Sequence, residues 1–436
     1  MLVLWNVKLV IVSNLYYNVK KEVILVIKES FCLETIQLSK SHVFRDAIHN
    51  YIHVENKLLL DLIDTKEMQR LRRIKQLGGT YQVYQSAEHS RFSHSLGVYY
   101  IVKMMLEDNC IGKEISDYDK LTVMCAGLLH DVGHGPFSHS FEEALGFQHE
   151  QYSVKIINGK SEVHKVLESF NPGFSKEVSS IIKKTHPNKV LVQMISSQLD
   201  ADRMDYLLRD SYFTGTTYGQ YDLSRILRVM QVHSGRIVYK EAGVQAIEDY
   251  ILARYHMYWQ VYYHPTARSY EQLLISIFKR VKDLYHNGHD LGDIRYLEPF
   301  LKGTVSEEEY TRLDEGVVLY YFQCFSEGND SILKDLTTRF LRRKLFKYHD
   351  LQNSEEEEQV KKTFNEKGYD PRYYVVSDGQ SQIPYRYYGK NDDIGEIQIL
   401  AKDTLQALPE VSEIVGAIIN SKRNKKDYKI FYPKLK

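Results

Sequence analysis

The segment Leu128-Leu-His-Asp-Val-Gly-His-Gly-Pro-Phe-Ser-His-Ser140 carries an adjacent histidine and aspartate off the end of an apolar run and then breaks into glycine and proline. The run from Tyr118 to His130 reads as a buried helix that Gly133, Gly135 and Pro136 bring to an end. A helix that stops in this way can present several polar groups to one cavity. His130 and His134 are four positions apart and are expected to share a helix face, while the glycines let backbone and a phosphate approach closely.

Two further segments supply partners for this pair. One is Arg91-Phe-Ser-His94-Ser-Leu-Gly97; the other is Asp200-Ala-Asp202-Arg-Met-Asp205-Tyr206-Leu-Leu-Arg-Asp210. His94, His130, Asp131 and Asp202 make a mixed nitrogen and oxygen shell for a divalent ion, with positions left for water and a phosphate oxygen. Asp202, Tyr206 and Asp210 recur at helical spacing, so one wall can carry a ligand, an aromatic ring and a second acceptor. Taken singly, a histidine is more often a hydrogen-bonded structural residue than a ligand, and aspartates often cap helices. The ordered set of His94, His130-Asp131, His134, His139, His149 and Asp202 favours catalysis over that bland reading.

Around these segments the first half of the chain is helical. Apolar positions from Lys57 to Leu77 recur at steps of three and four, with an interruption at Asp64-Thr65 where Thr65 is the expected N-cap. Further helices are expected over Ser95 to Glu107, Val190 to Tyr212, Ala242 to Tyr263 and Ser269 to Tyr285. Beyond residue 286 the texture changes: Arg372 to Val376, Glu396 to Leu400 and Tyr428 to Tyr432 read as strands around a helix near Ser412 to Asn420. The expected fold class is mainly α, a helical core with a smaller α+β C-terminal domain. The expected division is an N-terminal extension at 1–38, a catalytic domain at 39–285 and the α+β domain at 286–436. The acidic run Glu355 to Glu358 reads as a solvated face.

Composition narrows the class. Across 436 residues, 43% hydrophobic and 26% charged content is that of an ordinary globular protein, not a disordered chain or a membrane bundle. Lys+Arg and Asp+Glu both total 57, so no bulk positive field favours nucleic acid, and any phosphate must be met locally. Cys32, Cys110, Cys125 and Cys324 are scattered without a C-x-x-C pair, which fits a reducing cytoplasm and no thiolate zinc site. The apolar stretch Met1 to Val12 is interrupted by Lys8 and is too short to span a bilayer, so no membrane partner is expected.

With these residues in view, the chain resembles the HD-superfamily deoxynucleoside triphosphate (dNTP) triphosphohydrolases of bacteria, relatives of the vertebrate HD-domain dNTPase with a sterile-alpha-motif domain. The resemblance runs from about residue 42 to 285 and includes Phe44-Arg-Asp-Ala-Ile-His49, Asp64-Thr-x-x-x-Gln69-Arg-Leu-Arg72, Gln76-Leu-Gly-Gly79, the His94 and His130-Asp131 segments, Asp202-Arg-x-Asp-Tyr206 and Arg254. It implies that His94, His130, Asp131 and Asp202 bind the metal, Mg2+ or Mn2+ first, with Fe, Co, Ni or Zn also compatible. His134, His139 and His149 would surround the reacting phosphate; His139 is the expected acid for the departing 5′-oxygen, oriented by Glu142, and His134 a cation that holds phosphate. Arg91, Arg203 and Arg254 would meet the phosphate chain, Gln76 and Asp210 the sugar 3′-hydroxyl, Leu77 and Tyr206 the sugar edge, and Tyr262 the base.

Asp64, Gln69 and Arg72 match the family's guanine-nucleotide regulatory position, which implies a GTP or dGTP activator and a homotetramer. Gln260 and Pro265 stand where the family uses basic residues to grip a second activating nucleotide, which argues against a two-nucleotide scheme. Three other readings stay open on the residues: an HD phosphohydrolase acting on another nucleotide, a non-catalytic nucleotide or nucleic-acid sensor, and a helical scaffold.

Overall fold

A computed structural model of the chain describes residues 37–107, 110–380, 396–420 and 427–435. The expected N-terminal extension therefore lies outside the described residues, apart from Gln37 and Leu38 at the start of the first strand. Strands β1 (Gln37–Asp46) and β2 (Asn50–Asn56) form an antiparallel hairpin. Helices α1 (Lys57–Ile63) and α2 (Lys66–Arg70) follow, separated as the sequence predicts: the Thr65 hydroxyl accepts the Met68 N–H and caps α2. A single 3-10 turn, Leu71–Arg73, continues the chain.

The centre of the molecule is α3 (Arg91–Met105), which is buried on nearly every side, as a core helix must be when apolar residues surround it. It packs on α4 (Asp117–Leu129) and on a later helix, Ala201–Thr214. Contact with the latter needs Gly97, because a Cβ there would run into the carboxylate of Asp205 and the guanidinium of Arg209. After α4 come α5 (His139–Leu145), α6 (His149–Asn158) and three helices at Glu162–Phe170, Phe174–Ile182 and Lys189–Ile195.

The expected single helix from Val190 to Tyr212 is broken. It stops at Ile195 and restarts as α7 (Ala201–Thr214), because the Asp200 side chain accepts the N–H groups of both Arg203 and Ser197 and caps a new helix. A hairpin of β3 (Met230–His233) and β4 (Arg236–Lys240) precedes α8 (Val244–Met257). The end of the predicted Ala242 to Tyr263 helix is a π-helical turn over Tyr258–Tyr262, followed by α9 (Pro265–His286).

Helical order continues past residue 286 through Glu298–Lys302, Glu307–Thr311, α10 (Glu315–Glu327) and α11 (Ser331–Leu341), the last of which packs on both α10 and α9. Strands return at β5 (Lys347–Asp350), β6 (Val376–Gln380), β7 (Gln398–Ala401), β8 (Thr404–Ala407) and β9 (Asp427–Tyr432). They form an antiparallel sheet β5-β9-β6 and a second sheet β3-β4-β7-β8 in which β4 and β7 run parallel. The strand expected over Arg372 to Val376 is corrected to a helical turn, Pro371–Tyr374, with β6 beginning at Val376; Asp370 caps the turn and Pro371 occupies its first position. The helix near Ser412 is present as Glu413–Asn420. The acidic run starts the helix Ser354–Glu366, where carboxylates suit the N-terminal dipole and stay partly exposed.

Candidate active site

Helices α3 and α7 and the end of α4 bring His94, His130, Asp131 and Asp202 to one point. His94 Nε2 lies 3.1 Å from Asp202 Oδ1 and 3.7 Å from Asp131 Oδ2. His130 Nε2 is 3.3 Å from Asp131 Oδ1 and 3.7 Å from Asp202 Oδ1. The latter nitrogen is buried and has no hydrogen-bond partner, while its ring is oriented by Nδ1 on the Gly127 carbonyl at 2.8 Å. Nitrogen and carboxylate atoms so arranged require a cation or protons between them, and the ligand atoms of His94, His130 and Asp131 lie within 4.8 Å of one another. The four residues fit a divalent metal.

Without the ion, protons answer the same electrostatics. Burial opposes a charge on His94, yet hydrogen bonds to Asp202 and Asp205 outweigh it and hold the imidazole up at about 10. Burial likewise works against ionised Asp131 and Asp202, but His130, with His134 and Arg91 beside the former and His94 beside the latter, holds both carboxyls well below their usual range. Behind the cluster, Asp205 accepts from His94 Nδ1 at 2.8 Å, from His49 Nε2 at 2.7 Å and from Arg209 Nε at 2.8 Å, and Arg209 also pairs with Asp46. A buried carboxylate on the far nitrogen fixes the ring so that Nε2 faces the metal position. Sequence reading assigned no role to Asp205, His49 or Arg209, although Asp205 and Arg209 form an acid–base pair four residues apart on one helix.

The second group of histidines gathers around Glu142. His149 Nδ1 is 2.8 Å from Glu142 Oε1, His134 Nδ1 is 3.4 Å from the same oxygen, and His139 Nδ1 is 3.5 Å from Oε2. The rings of His134 and His149 stack at 3.8 Å. Burial resists the charge on Glu142, but its three histidines hold it well below the usual carboxylate range. His134 does not share a helix face with His130, since α4 ends at Leu129 and the chain turns at Asp131 to His134. Burial, with Arg91 and His149 beside it, pushes the His134 imidazole well below its usual range, which disfavours the expected cation. His139 is different, with 75% of its side chain exposed to the opening of the site.

A cavity of about 480 Å3 joins these groups. Of the residues singled out in the sequence, Gln76, Leu77, Arg91, Asp131, His134, His139, His149, Asp202, Arg203, Tyr206, Asp210 and Tyr262 line it. Asp210 is oriented by His89 Nε2 and by the Tyr262 hydroxyl, each at 2.7 Å. Arg91 is spent partly on structure, pairing with Asp131 and donating Nε to Ser138 Oγ at 3.0 Å. Arg203 pairs with Asp200 and donates to the Ser197 carbonyl at 2.6 Å. Arg254 stands behind this wall with its Cζ 5.9 Å from the Tyr258 ring centre, and its Nε and Nη1 are buried without a partner. The cavity also includes Tyr258, Tyr263, Arg268 and Glu271, which the sequence reading did not single out. Arg268 is tied by Asp378 and Asp427 to β6 and β9, so the C-terminal sheet supports this side of the wall.

Asp64, Gln69 and Arg72 lie apart from that cavity wall: Asp64 caps the end of α1, Gln69 is on α2 and Arg72 is in the 3-10 turn that follows. Arg72 Nε donates to Gln69 Oε1 at 2.9 Å and its guanidinium covers the Phe92 ring at 3.6 Å, while Asp64 is exposed.

The HD domain profile matches residues 91–210, the span that supplies all four residues of the metal cluster, and an HD associated region matches 221–370. The chain belongs to the HD family. This HD protein is 46% identical over 407 residues to the Bacillus subtilis protein YwfO, covering 91% of this chain and 93% of that one. It is 29% identical over 363 residues to the human deoxynucleoside triphosphate triphosphohydrolase SAMHD1, covering 72% of this chain and 56% of the human protein. A solved phosphohydrolase from Bacteroides thetaiotaomicron superposes with a TM-score of 0.80 at 30% identity, covering 91% of this chain and all of that one (100%). With its His/Asp cluster intact, the HD protein is a metal-dependent phosphohydrolase. No helix among the described residues is long and apolar enough to cross a membrane.

Proposed function

We propose that this phosphohydrolase cleaves dNTPs to deoxynucleoside and inorganic triphosphate. The observation that carries the reading is the single cavity in which Asp131, Asp202 and the His134, His139 and His149 group share walls with Gln76, Leu77, Tyr206, Asp210 and Tyr262. The dNTP triphosphohydrolases named among the relatives support it. A divalent ion held by His94, His130, Asp131 and Asp202 would supply polarisation of a phosphate oxygen and activation of water. His139, exposed and near Glu142, would give a proton to the departing 5′-oxygen, and Glu142 would keep His149 and His139 in register. Arg91, Arg203 and Arg254 bring positive charge to the phosphate chain, and the free donors of Arg254 are the ones that still lack a partner. Leu77 and Tyr206 crowd the sugar edge, so a 2′-hydroxyl would clash and ribonucleotides would be excluded.

The same reading takes 39–285 as the catalytic unit in a cytoplasmic homotetramer, and Asp64, Gln69 and Arg72 as a GTP or dGTP site that raises activity. The exposed Asp64 and Arg72 and the preset Arg72 to Gln69 hydrogen bond support such a site. The test is product analysis with Mg2+ or Mn2+ and each dNTP, with and without GTP or dGTP. Inorganic triphosphate with deoxynucleoside, absent in a His130→Ala, Asp131→Ala double variant, is the expected result. Orthophosphate or nucleoside monophosphate would reassign the substrate chemistry, and binding without turnover would make the protein a sensor.

A further inference from the structure

Neither active-site loop is held by regular secondary structure. Gln76 follows the 3-10 turn Leu71–Arg73, and His139 follows Phe137 and Ser138, whose φ angles of 57° and 50° lie in the left-handed region that non-glycine residues rarely adopt. Such backbone persists only when its surroundings hold it. Some holding groups are near, the Gln76 N–H donating to the His89 carbonyl at 3.0 Å and Arg91 donating to the Gln76 carbonyl and to Ser138 Oγ; others come from far along the chain. Glu315, at the first turn of α10 and only 4% exposed, accepts the Lys75 N–H at 2.9 Å and the Phe137 N–H at 3.3 Å on the same oxygen, Oε1. One carboxyl thus joins the residue before Gln76 to the segment before His139.

Its neighbours extend the contact. Asp314 caps α10 through the Val317 N–H and accepts Arg73 Nε at 2.5 Å. The Leu313 carbonyl accepts Arg70 Nε at 2.9 Å, and the same buried guanidinium donates Nη1 to the His134 carbonyl at 2.8 Å. The Tyr310 hydroxyl donates to the Gly133 carbonyl at 2.7 Å. Residues 310–315 therefore satisfy backbone groups of both catalytic loops that no helix or strand satisfies.

We infer that Glu315 is a positioning residue of the hydrolytic site, whose Oε1 keeps Gln76 and His139 at a fixed separation across the cavity. It touches neither substrate nor metal ligand and acts through the two loops it joins. The inference rests on the cavity being the hydrolytic site, so its test includes a readout that needs no substrate. Two near-isosteric variants separate geometry from charge. Glu315→Gln replaces the carboxyl by a neutral amide but keeps an oxygen at the position of Oε1; Glu315→Asp keeps a carboxyl but withdraws the oxygen by about one bond length.

Hydrogen exchange on the full chain is expected to show amides of 75–77 and 137–139 exchanging about tenfold faster or more in Glu315→Asp, with 124–131 and 203–210 unchanged and Glu315→Gln like the wild type. With the hydrolysed nucleotide, Glu315→Asp should lower kcat on the order of 100-fold with KM within about threefold, and Glu315→Gln should restore most of kcat. Equal exchange and kcat in Glu315→Asp and wild type, a uniform rise in exchange across the core, or failure of Glu315→Gln to rescue would each overturn the inference. Absence of turnover in the wild type would count against the proposed reaction, and the exchange result would still decide the role of Glu315.

Discussion

The metal cluster and the rest of the cavity wall differ in what holds their polar groups. Three of the four metal-facing side chains have a second partner inside the protein: Asp205 behind His94, the Gly127 carbonyl behind His130, and Arg91 beside Asp131. Elsewhere the protein leaves groups incomplete. Gln76 Oε1 and two nitrogens of Arg254 are buried without a partner, and burial, with Asp378 and Glu143 nearby, pushes the Glu271 carboxyl up to about 8. Buried polar groups are costly unless paired. The contrast teaches that the metal-facing half is preorganised by the fold, whereas the opposite wall leaves polar groups for a bound ligand to pair.

The strongest way to break that contrast is to remove the support behind the metal. Asp205→Ala would strand His94, His49 and Arg209 without their shared carboxylate, and a loss of about 3–5 kcal/mol is expected in denaturant unfolding, with metal affinity down by about 10- to 100-fold. A variant that binds metal like the wild type would show that His94 needs no orienting partner. Gly97→Ala attacks the same support from the other helix, since its methyl would meet Asp205 and Arg209; about 1–3 kcal/mol of destabilisation is expected, read as a lower Tm.

Protonation sharpens the comparison. In metal-free protein His94 is raised from 6.5 to about 10, so its contribution to stability is complete below the unfolded value and is lost as pH rises towards about 10. Asp131, Asp202 and Asp205 are depressed, so their contributions are present above the usual carboxylate value of 3.8 and are lost as the solution becomes more acidic. Thermal melts in chelator should therefore show Tm falling on the alkaline side, while added divalent metal should stabilise more as pH rises because the cluster must release its proton. A chelated protein whose Tm is flat from neutral to alkaline pH would contradict this. The smallest effect belongs to the opposite wall: Glu271→Gln should change KM among nucleotides within about tenfold and leave metal binding untouched, as competition binding and calorimetry would show.

Legibility followed the range of the interactions involved. The wall formed by Asp202, Tyr206 and Asp210 and the Thr65 cap depend on spacing within one helix or its first turn, and the structure keeps both; His94, His130, Asp131 and Asp202 meet only because α3, the end of α4 and α7 pack together. The break before Ala201 was hidden because Val190 to Leu199 is apolar enough to suggest one helix, although Asp200 carried a capping signal. Pro371 after Asp370 similarly marked a helical start that the apolar run behind it obscured. Glu315 and Arg70 reach across more than half the chain, and no local pattern reports such contacts. The downward shift of His134 comes from burial and from Arg91, which spacing does not reveal.

The central claim is that one divalent ion is held by ligands the fold has already set in place. Calorimetric titration of chelator-treated protein with Mn2+, in the absence of nucleotide, tests it most directly. One tight site per chain, abolished in Asp131→Ala while that variant keeps the wild-type circular dichroism, is the predicted result. An unchanged site in Asp131→Ala, or tight metal binding that appears only after nucleotide is added, would contradict a preorganised cluster.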